Sequence, residues 1–306
     1  MVRFLRNNKK IYENSARKNK NININSKGII VGSLEENNSK IISLARDSNT
    51  NKNTAVLGSA GTGKTRNFVI PNIIQSINNG DSLVITDFRD ELHSKMAKNL
   101  EDNDYEVKVL DLNAILYKMQ LEEYRLEDKL EYLLAQENFS LESKSNKYAY
   151  FIQTGGIENI YNNEKAKLLA GEIISYLLEK ALNNSIDPES NNINFILDDF
   201  EFIGRIPILF LFKNKRITVN IIFQSIRQFK EIYGKVEWIS ILDNCDNFVC
   251  FGDSDAETIS LVNKLRIHRE VELNLNYIKK TEIILVLKDG TAIKLKKIKH
   301  ELMGKS

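Results

Sequence analysis

The 306-residue chain is poor in the residues that build most metal and redox centres. It has two cysteines, Cys245 and Cys250, and three histidines, His93, His268 and His300. Two cysteines exclude a disulfide framework, and their spacing is not a zinc-ligand pattern. They read as small buried residues of a reducing compartment. The histidines lie far apart in sequence, which argues against a His-based metal site. No segment reaches the roughly 18 consecutive apolar residues that suggest a bilayer-spanning helix. The basic, polar stretch Met1–Lys20 lacks the apolar centre of a signal peptide. The expected location is therefore cytoplasmic, with a partner protein needed for any recruitment to the cell membrane. An excess of charge of one sign is also missing: 43 Lys plus Arg face 41 Asp plus Glu, a formal net charge of +2. Overall charge gives no strong case for nucleic acid, so any basic surface is local.

Hydrophobic residues make up 42% and charged residues 27%, an ordinary balance for a globular protein. The first 53 residues differ from the rest. Arg3, Arg6, Lys9, Lys10, Arg17, Lys18 and Lys20 face the single acid Glu13, and Asn and Ser dominate thereafter. This stretch reads as a basic, Asn-rich arm. It is expected to hold one short strand, Gly28–Leu34, and a helical turn or two over Lys40–Arg46. Two readings of the arm stay open. It is a loosely ordered, solvated charge run, or it touches DNA phosphates or acidic lipid.

From Thr54 the pattern changes to apolar runs alternating with amphipathic helices. Strands are expected at Thr54–Leu57, Ser82–Thr86, Glu106–Leu110, Ile193–Leu197, Ile217–Phe223 and Asn247–Phe251. Helices are expected at Lys64–Asn78 (with Pro71 able to bend it), Asp90–Asp102, Asn163–Leu182, Ile206–Lys215, Trp238–Leu242 and Asp255–Arg266. In the helix Asn163–Leu182, Leu168, Leu169, Ile173, Leu177 and Leu178 are expected on the inner side. Glu282–Leu287 and Ala292–Leu295 form a hairpin through Asp289–Gly290. This alternation predicts an α/β fold with a mainly parallel sheet flanked by helices. The expected organisation is an arm over 1–53, a nucleotide-binding domain over 54–300 and a tail over 301–306. Within the domain, 113–162 reads as a variable insertion, helical around Leu121–Gln136.

One segment carries specific chemistry. Gly58-Ser59-Ala60-Gly61-Thr62-Gly63-Lys64-Thr65 fits G-x-x-x-x-G-K-[ST] between an apolar strand and a helix, the context this phosphate-binding motif requires. Glycines let the backbone wrap so that its N–H groups face phosphate oxygens. The new helix adds its positive N-terminal end. Lys64 is expected near the β- and γ-phosphates of ATP, and the Thr65 hydroxyl on Mg²⁺. A second segment, Asn194–Asp199, ends an apolar strand in two acids, where open α/β sheets place ligand chemistry. Asp198 is expected to hold Mg²⁺ through water, and Asp199 to polarise the attacking water. Gln224, at the tip of the next strand, is a candidate sensor of the γ-phosphate. Asp87 ends a neighbouring strand and is expected to line the same cleft.

At these residues the chain resembles the VirD4/TraG-type coupling proteins of conjugation and type IV secretion, RecA-like relatives of the FtsK/HerA motors. The likeness runs through Gly58–Asn72, including Arg66 and Pro71-Asn72. It continues through Thr86–Leu92, Phe195–Pro207, Ile217–Ser225 and Asn244–Thr258. It implies a RecA-like ATPase that works as a homo-oligomer, in the form of a hexameric ring, with DNA or a nucleoprotein as cargo. It also implies that Arg66 joins the nucleotide site, and that a basic residue ahead of Ile217, Lys213 or Arg216, acts as a finger on the ATP of a neighbouring subunit. The chain departs from the pattern in four places. It shows no transmembrane helices. Only Asn183–Asn192 stands where the family inserts an all-α domain. Asp199 replaces a Glu. Lys213 replaces the finger Arg. These departures keep two further readings open: a catalytically weak ATP-binding accessory subunit, and a sequence-independent DNA-binding factor drawing on the arm and on Lys294, Lys296, Lys297 and Lys299.

Overall fold

The computed structural model describes residues 22–24, 27–45, 52–121, 147–156, 159, 163–184, 191–206, 214, 216–252, 256–266 and 278–299. The strands are β1 (Ile22–Ile24), β2 (Gly28–Ser33), β3 (Ile41–Ala45), β4 (Thr54–Leu57), β5 (Ser82–Thr86), β6 (Tyr105–Asp111), β7 (Lys147–Gln153), β8 (Ile193–Leu197), β9 (Ile217–Phe223), β10 (Asn247–Cys250), β11 (Glu282–Leu287) and β12 (Ala292–Lys296). All lie in one sheet, ordered β1-β3-β2-β12-β11-β10-β4-β9-β8-β5-β7-β6. From β10 to β6 every pairing is parallel. From β10 to β1 every pairing is antiparallel. The α/β class with a parallel centre is as expected.

The helices are α1 (Ile70–Asn79), α2 (Glu91–Glu101), α3 (Leu112–Leu121), α4 (Glu164–Asn184), α5 (Ile226–Asp243) and α6 (Ala256–Arg266). They cover both faces of the sheet, as right-handed strand-helix-strand crossovers require. Successive residues of β4 serve opposite cores because side chains alternate along a strand. Ala55 and Leu57 pack with α4 and α5 residues such as Ile173, Leu177, Phe229 and Ile241. Val56 packs with α1 and α2 residues such as Ile73, Leu92 and Met96.

Five sequence expectations are corrected. Lys40–Arg46 was expected to turn helically, but Ile41–Ala45 is a strand paired antiparallel with β2. A helix of one or two turns is not stable on its own, whereas β2 offers it a full ladder. Among the described residues the arm holds three strands where one was expected, and they hydrogen-bond into the same sheet as the rest. The expected insertion contains β7, Lys-Tyr-Ala-Tyr-Phe-Ile-Gln, an interior strand between β5 and the edge strand β6. Its aromatic and β-branched residues favour a strand, but the surrounding charged sequence masked the signal. Leu168 faces outward at 58% exposure, because the buried stripe of α4 runs through Ala166, Leu169, Ala170, Ile173, Leu177 and Ala181. The expected helix Trp238–Leu242 is the second part of α5, which breaks its helical backbone at Gly234. The basic residues of 1–21, the helix around Leu121–Gln136 and most of the helix 206–215 lie outside the described residues.

Both cysteines are buried. Burial in β10 pushes the Cys250 thiol up to about 12, so it is no nucleophile at neutral pH.

Candidate nucleotide-binding site

The P-loop leaves β4 at Leu57, and the strand-tip acids leave β8 at Leu197. Only β9 lies between those strands, in register Leu57↔Phe223 and Leu197↔Ile221. Parallel pairing therefore brings the three C-terminal ends, Gly58, Asp198 and Gln224, to one edge. The Thr65 hydroxyl donates to Asp198 Oδ2 at 2.8 Å across 133 positions of sequence. This is the contact that joins the two motifs.

The loop is shaped for a bulky anion. Gly58 and Gly63 have φ of 155° and 90°, and Gly61 has φ of 75°. A Cβ at Gly63 would come within 2.5 Å of Asn67 Nδ2, and the left-handed φ at Gly61 disfavours any other residue. The first helical turn, Thr65–Val69, is a π-helix before α1 begins. Such widened turns occur mostly at functional sites. Asn67 braces the loop to this turn: both its backbone N–H and its side-chain amide donate to Gly63 O, at 2.9 and 2.8 Å. Pro71 falls in the first turn of α1, where a missing N–H costs nothing.

Lys64 is buried and folds back on the loop, donating to Gly58 O at 2.5 Å and Ser59 O at 3.2 Å. Burial lowers its pKa against the pull of Asp198, Glu201 and Asp199. Asp198 is raised by burial and by the neighbouring Asp199, while the Thr65 hydrogen bond opposes the shift. Two hard oxygen donors, one of them a buried carboxylate, thus stand side by side beside a cation. That donor set suits Mg²⁺, which takes few protein oxygens and keeps water and phosphate ligands. Among the described residues no cluster of three His, Cys, Asp or Glu forms a transition-metal site.

Asp199 has a left-handed backbone, φ 50° and ψ 47°, a conformation that Asp tolerates better than most residues. Its carboxylate is taken by Arg89, which donates from Nε at 2.8 Å and from an Nη at 3.2 Å. The expected water-polarising acid is thus half of a bidentate ion pair. Arg89 comes from the Thr86–Leu92 segment and was not singled out from sequence, nor was the buried Glu201. Asp87, expected in the cleft, instead caps α2. Its oxygens accept from the backbone N–H groups of Glu91, Leu92 and His93 at 3.0, 3.0 and 2.8 Å, and from Gln153 Nε2 at 2.8 Å. A carboxylate there also meets the positive end of the helix.

Arg66 lies beside the P-loop in a cleft of about 770 Å³ that also takes in Thr62, Phe251, Ile278 and Lys297. Pockets of some 300–1,000 Å³ hold small ligands. Lys297 reaches into it over the Phe251 ring, 5.2 Å from the centroid, and donates to Thr62 O at 2.6 Å. It was read from sequence as part of a basic tail. Lys294 and Lys296 of the same tail pair with Glu282, and Lys296 also with Glu36. Three of the four tail lysines are therefore engaged within the chain. Arg216 precedes β9, at the end of the strand opposite Gln224. The parallel sheet holds it away from Lys64 and Asp198 of its own chain. Lys213 lies outside the described residues.

The fold matches solved structures of coupling and secretion proteins. A structure of the plasmid coupling protein TrwB with a non-hydrolysable ATP analogue aligns with a TM-score of 0.57 and 12% identity. It covers 81% of this chain and 85% of that one. TrwB with ADP and Mg²⁺ aligns with a TM-score of 0.54 and 12% identity, covering 81% and 85%. VirB4 of Thermoanaerobacter pseudethanolicus gives a TM-score of 0.58 and 12% identity, covering 89% and 96%. These likenesses establish the fold. No curated protein matches by sequence. Residues 192–274 match the family described as the TraM recognition site of TraD and TraG. Residues 4–185 match the type IV secretory system conjugative DNA transfer family, and the chain belongs to that family.

Proposed function

We propose that this chain binds ATP with Mg²⁺ and hydrolyses it as the motor subunit of a conjugative DNA-transfer or type IV secretion machine. The observation that carries the reading is the Thr65–Asp198 contact of 2.8 Å beside a glycine-lined loop and Lys64. The bound ATP analogue, ADP and Mg²⁺ named for the TrwB structures support the choice of ligand.

In this reading the loop N–H groups of Gly58–Thr65 bind the β- and γ-phosphates. Lys64 moves from Gly58 O and Ser59 O to the phosphate oxygens, exchanging neutral acceptors for charged ones, which bind more strongly. Thr65 and, through water, Asp198 hold Mg²⁺, which neutralises phosphate charge when bound. Gln224, at the adjacent strand tip, reports on the γ-phosphate. The base and ribose extend into the cleft lined by Arg66, Phe251 and Lys297. Arg216 is too far from its own site, so its catalytic use requires the nucleotide of a second subunit, as in a hexameric ring; Lys213 is the other candidate for that finger. DNA or a nucleoprotein is the cargo, contacted independently of sequence. Among the described residues no helix is long and apolar enough to cross a membrane.

A second reading has one specific observation in its favour. The Arg89 clamp on Asp199 suits an accessory subunit that binds ATP and turns it over weakly. Phosphate release measured with and without single- and double-stranded DNA separates the two. Stimulation by DNA, lost at least 100-fold in Lys64→Ala and Asp198→Ala, is expected. Unchanged turnover in both variants would overturn the motor; nucleotide binding without turnover in the wild type would favour the accessory subunit.

A further inference from the structure

A third carboxylate stands beside the two strand-tip acids. Glu201 is the middle residue of the single 3-10 turn Phe200–Phe202 that follows them. It is 6% exposed, and neither of its oxygens finds a hydrogen-bond partner on another residue. An unpaired buried carboxylate is costly, so its presence calls for a use. Its surroundings are those of the nucleotide site: burial pushes its carboxyl up to about 8, with Asp199 and Asp198 adding to the rise and Lys64 opposing it, and a general base works best with its pKa near the operating pH. Phe200 is fully buried and Phe202 nearly so, and the Gly204 N–H donates to Lys167 O at 2.7 Å. The turn is therefore held at both ends.

Asp199 is placed differently. Its two oxygens are both occupied by the Arg89 guanidinium. A base must be available to the proton it takes; Glu201 is uncommitted and Asp199 is not.

We propose that Glu201 is the carboxylate that orients and deprotonates the attacking water, while Asp199 positions Arg89. This rests on the ATP-hydrolysing reading given above. The water oxygen bonds to the γ-phosphorus as the bond from that phosphorus to the β–γ bridging oxygen breaks. The bridging electron pair leaves with ADP, and the water proton passes to the Glu201 carboxylate. The products are ADP and inorganic phosphate, with the proton released to solvent.

The test compares wild type, Glu201→Gln and Asp199→Asn in the full chain. It measures phosphate release, affinity for a fluorescent non-hydrolysable ATP analogue, and thermal midpoint. Gln keeps the shape of Glu and removes its charge. Glu201→Gln should bind the analogue within threefold of wild type, melt no lower, and lose at least tenfold in kcat; a positioned base typically supplies about 10²–10⁴. Asp199→Asn should lose less than Glu201→Gln. A loss below tenfold in Glu201→Gln, a lost analogue affinity or lowered midpoint in that variant, or the reverse order of the two variants would overturn the assignment. If the wild type binds the analogue yet releases no phosphate, the ATPase reading falls and takes Glu201 with it. An active wild type with an equally active Glu201→Gln sinks this inference alone.

Discussion

Single polar side chains hold the nucleotide edge to the rest of the molecule. Asn72, buried in α1, accepts from the Ile30 N–H at 2.8 Å and donates to Ile30 O and Phe68 O, each at 2.9 Å. It ties the helix that follows the P-loop to the register irregularity of β2 between Ile30 and Gly32. Removing it strands an N–H and a carbonyl in the core, each costing about 1–3 kcal/mol. Asn72→Ala should therefore lower stability by about 2–4 kcal/mol, read from the midpoint of urea unfolding at unchanged slope. From sequence, Asn72 was visible only as half of a Pro-Asn pair. Its partner Ile30 is 42 positions away, and no local pattern reports a partner at that range. The same holds for Arg89 and Glu201. Lys64 and Thr65 were legible because their roles are set within one turn of chain.

At the scale of elements, α4 and the turn after β8 touch backbone to backbone. A Cβ on Gly171 would come within 2.8 Å of Gly204 C, and one on Gly204 within 2.6 Å of Lys167 O. In an exposed helix Gly→Ala stabilises by about 1 kcal/mol. Here the sign reverses, because the atoms in the way are main chain and cannot step aside. Gly171→Ala should destabilise by about 1–3 kcal/mol and should also displace the segment that carries Asp199 and Glu201. Phosphate release should fall more than analogue binding does. A variant as stable as wild type would show that the two elements have slack. The helical period of α4 was readable from sequence, but Leu168 was assigned to the wrong face. Two leucines in succession give no hint which of them meets the sheet; only the positions of Phe200 and Ile203 against α4 decide it.

For the whole molecule, the notable fact is that the described strands of the arm, β1 to β3, belong to the sheet. β2 pairs with β12 at Ser33↔Lys296, and Val31, Ile42 and Leu44 share one core with Val56, Phe68 and Ile73. Deleting residues 1–51 would bare that core and the outer edge of β12. An exposed apolar edge of this kind is an aggregation site. The truncated chain should be poorly soluble or melt well below the full chain, by light scattering and thermal denaturation. A truncation that stays monodisperse and equally stable would show the arm strands to be dispensable. Composition hid this: Asn and Ser between short apolar runs resemble a solvated arm until a partner strand is supplied.

By itself the sequence determined the chemistry that lies within a few residues of chain: the glycine loop with Lys64 and Thr65, the acid pair at the tip of β8, and the parallel rhythm of strand and helix. Local sterics and periodicity suffice for these. The tertiary structure alone decided which carboxylate is free and which is paired, that Asp87 caps a helix, and that Lys297 serves the P-loop. It also decided that Arg216 lies beyond reach of its own site. Each of these depends on a meeting of residues far apart in the chain, and such meetings are set by strand order and register, which no single segment encodes.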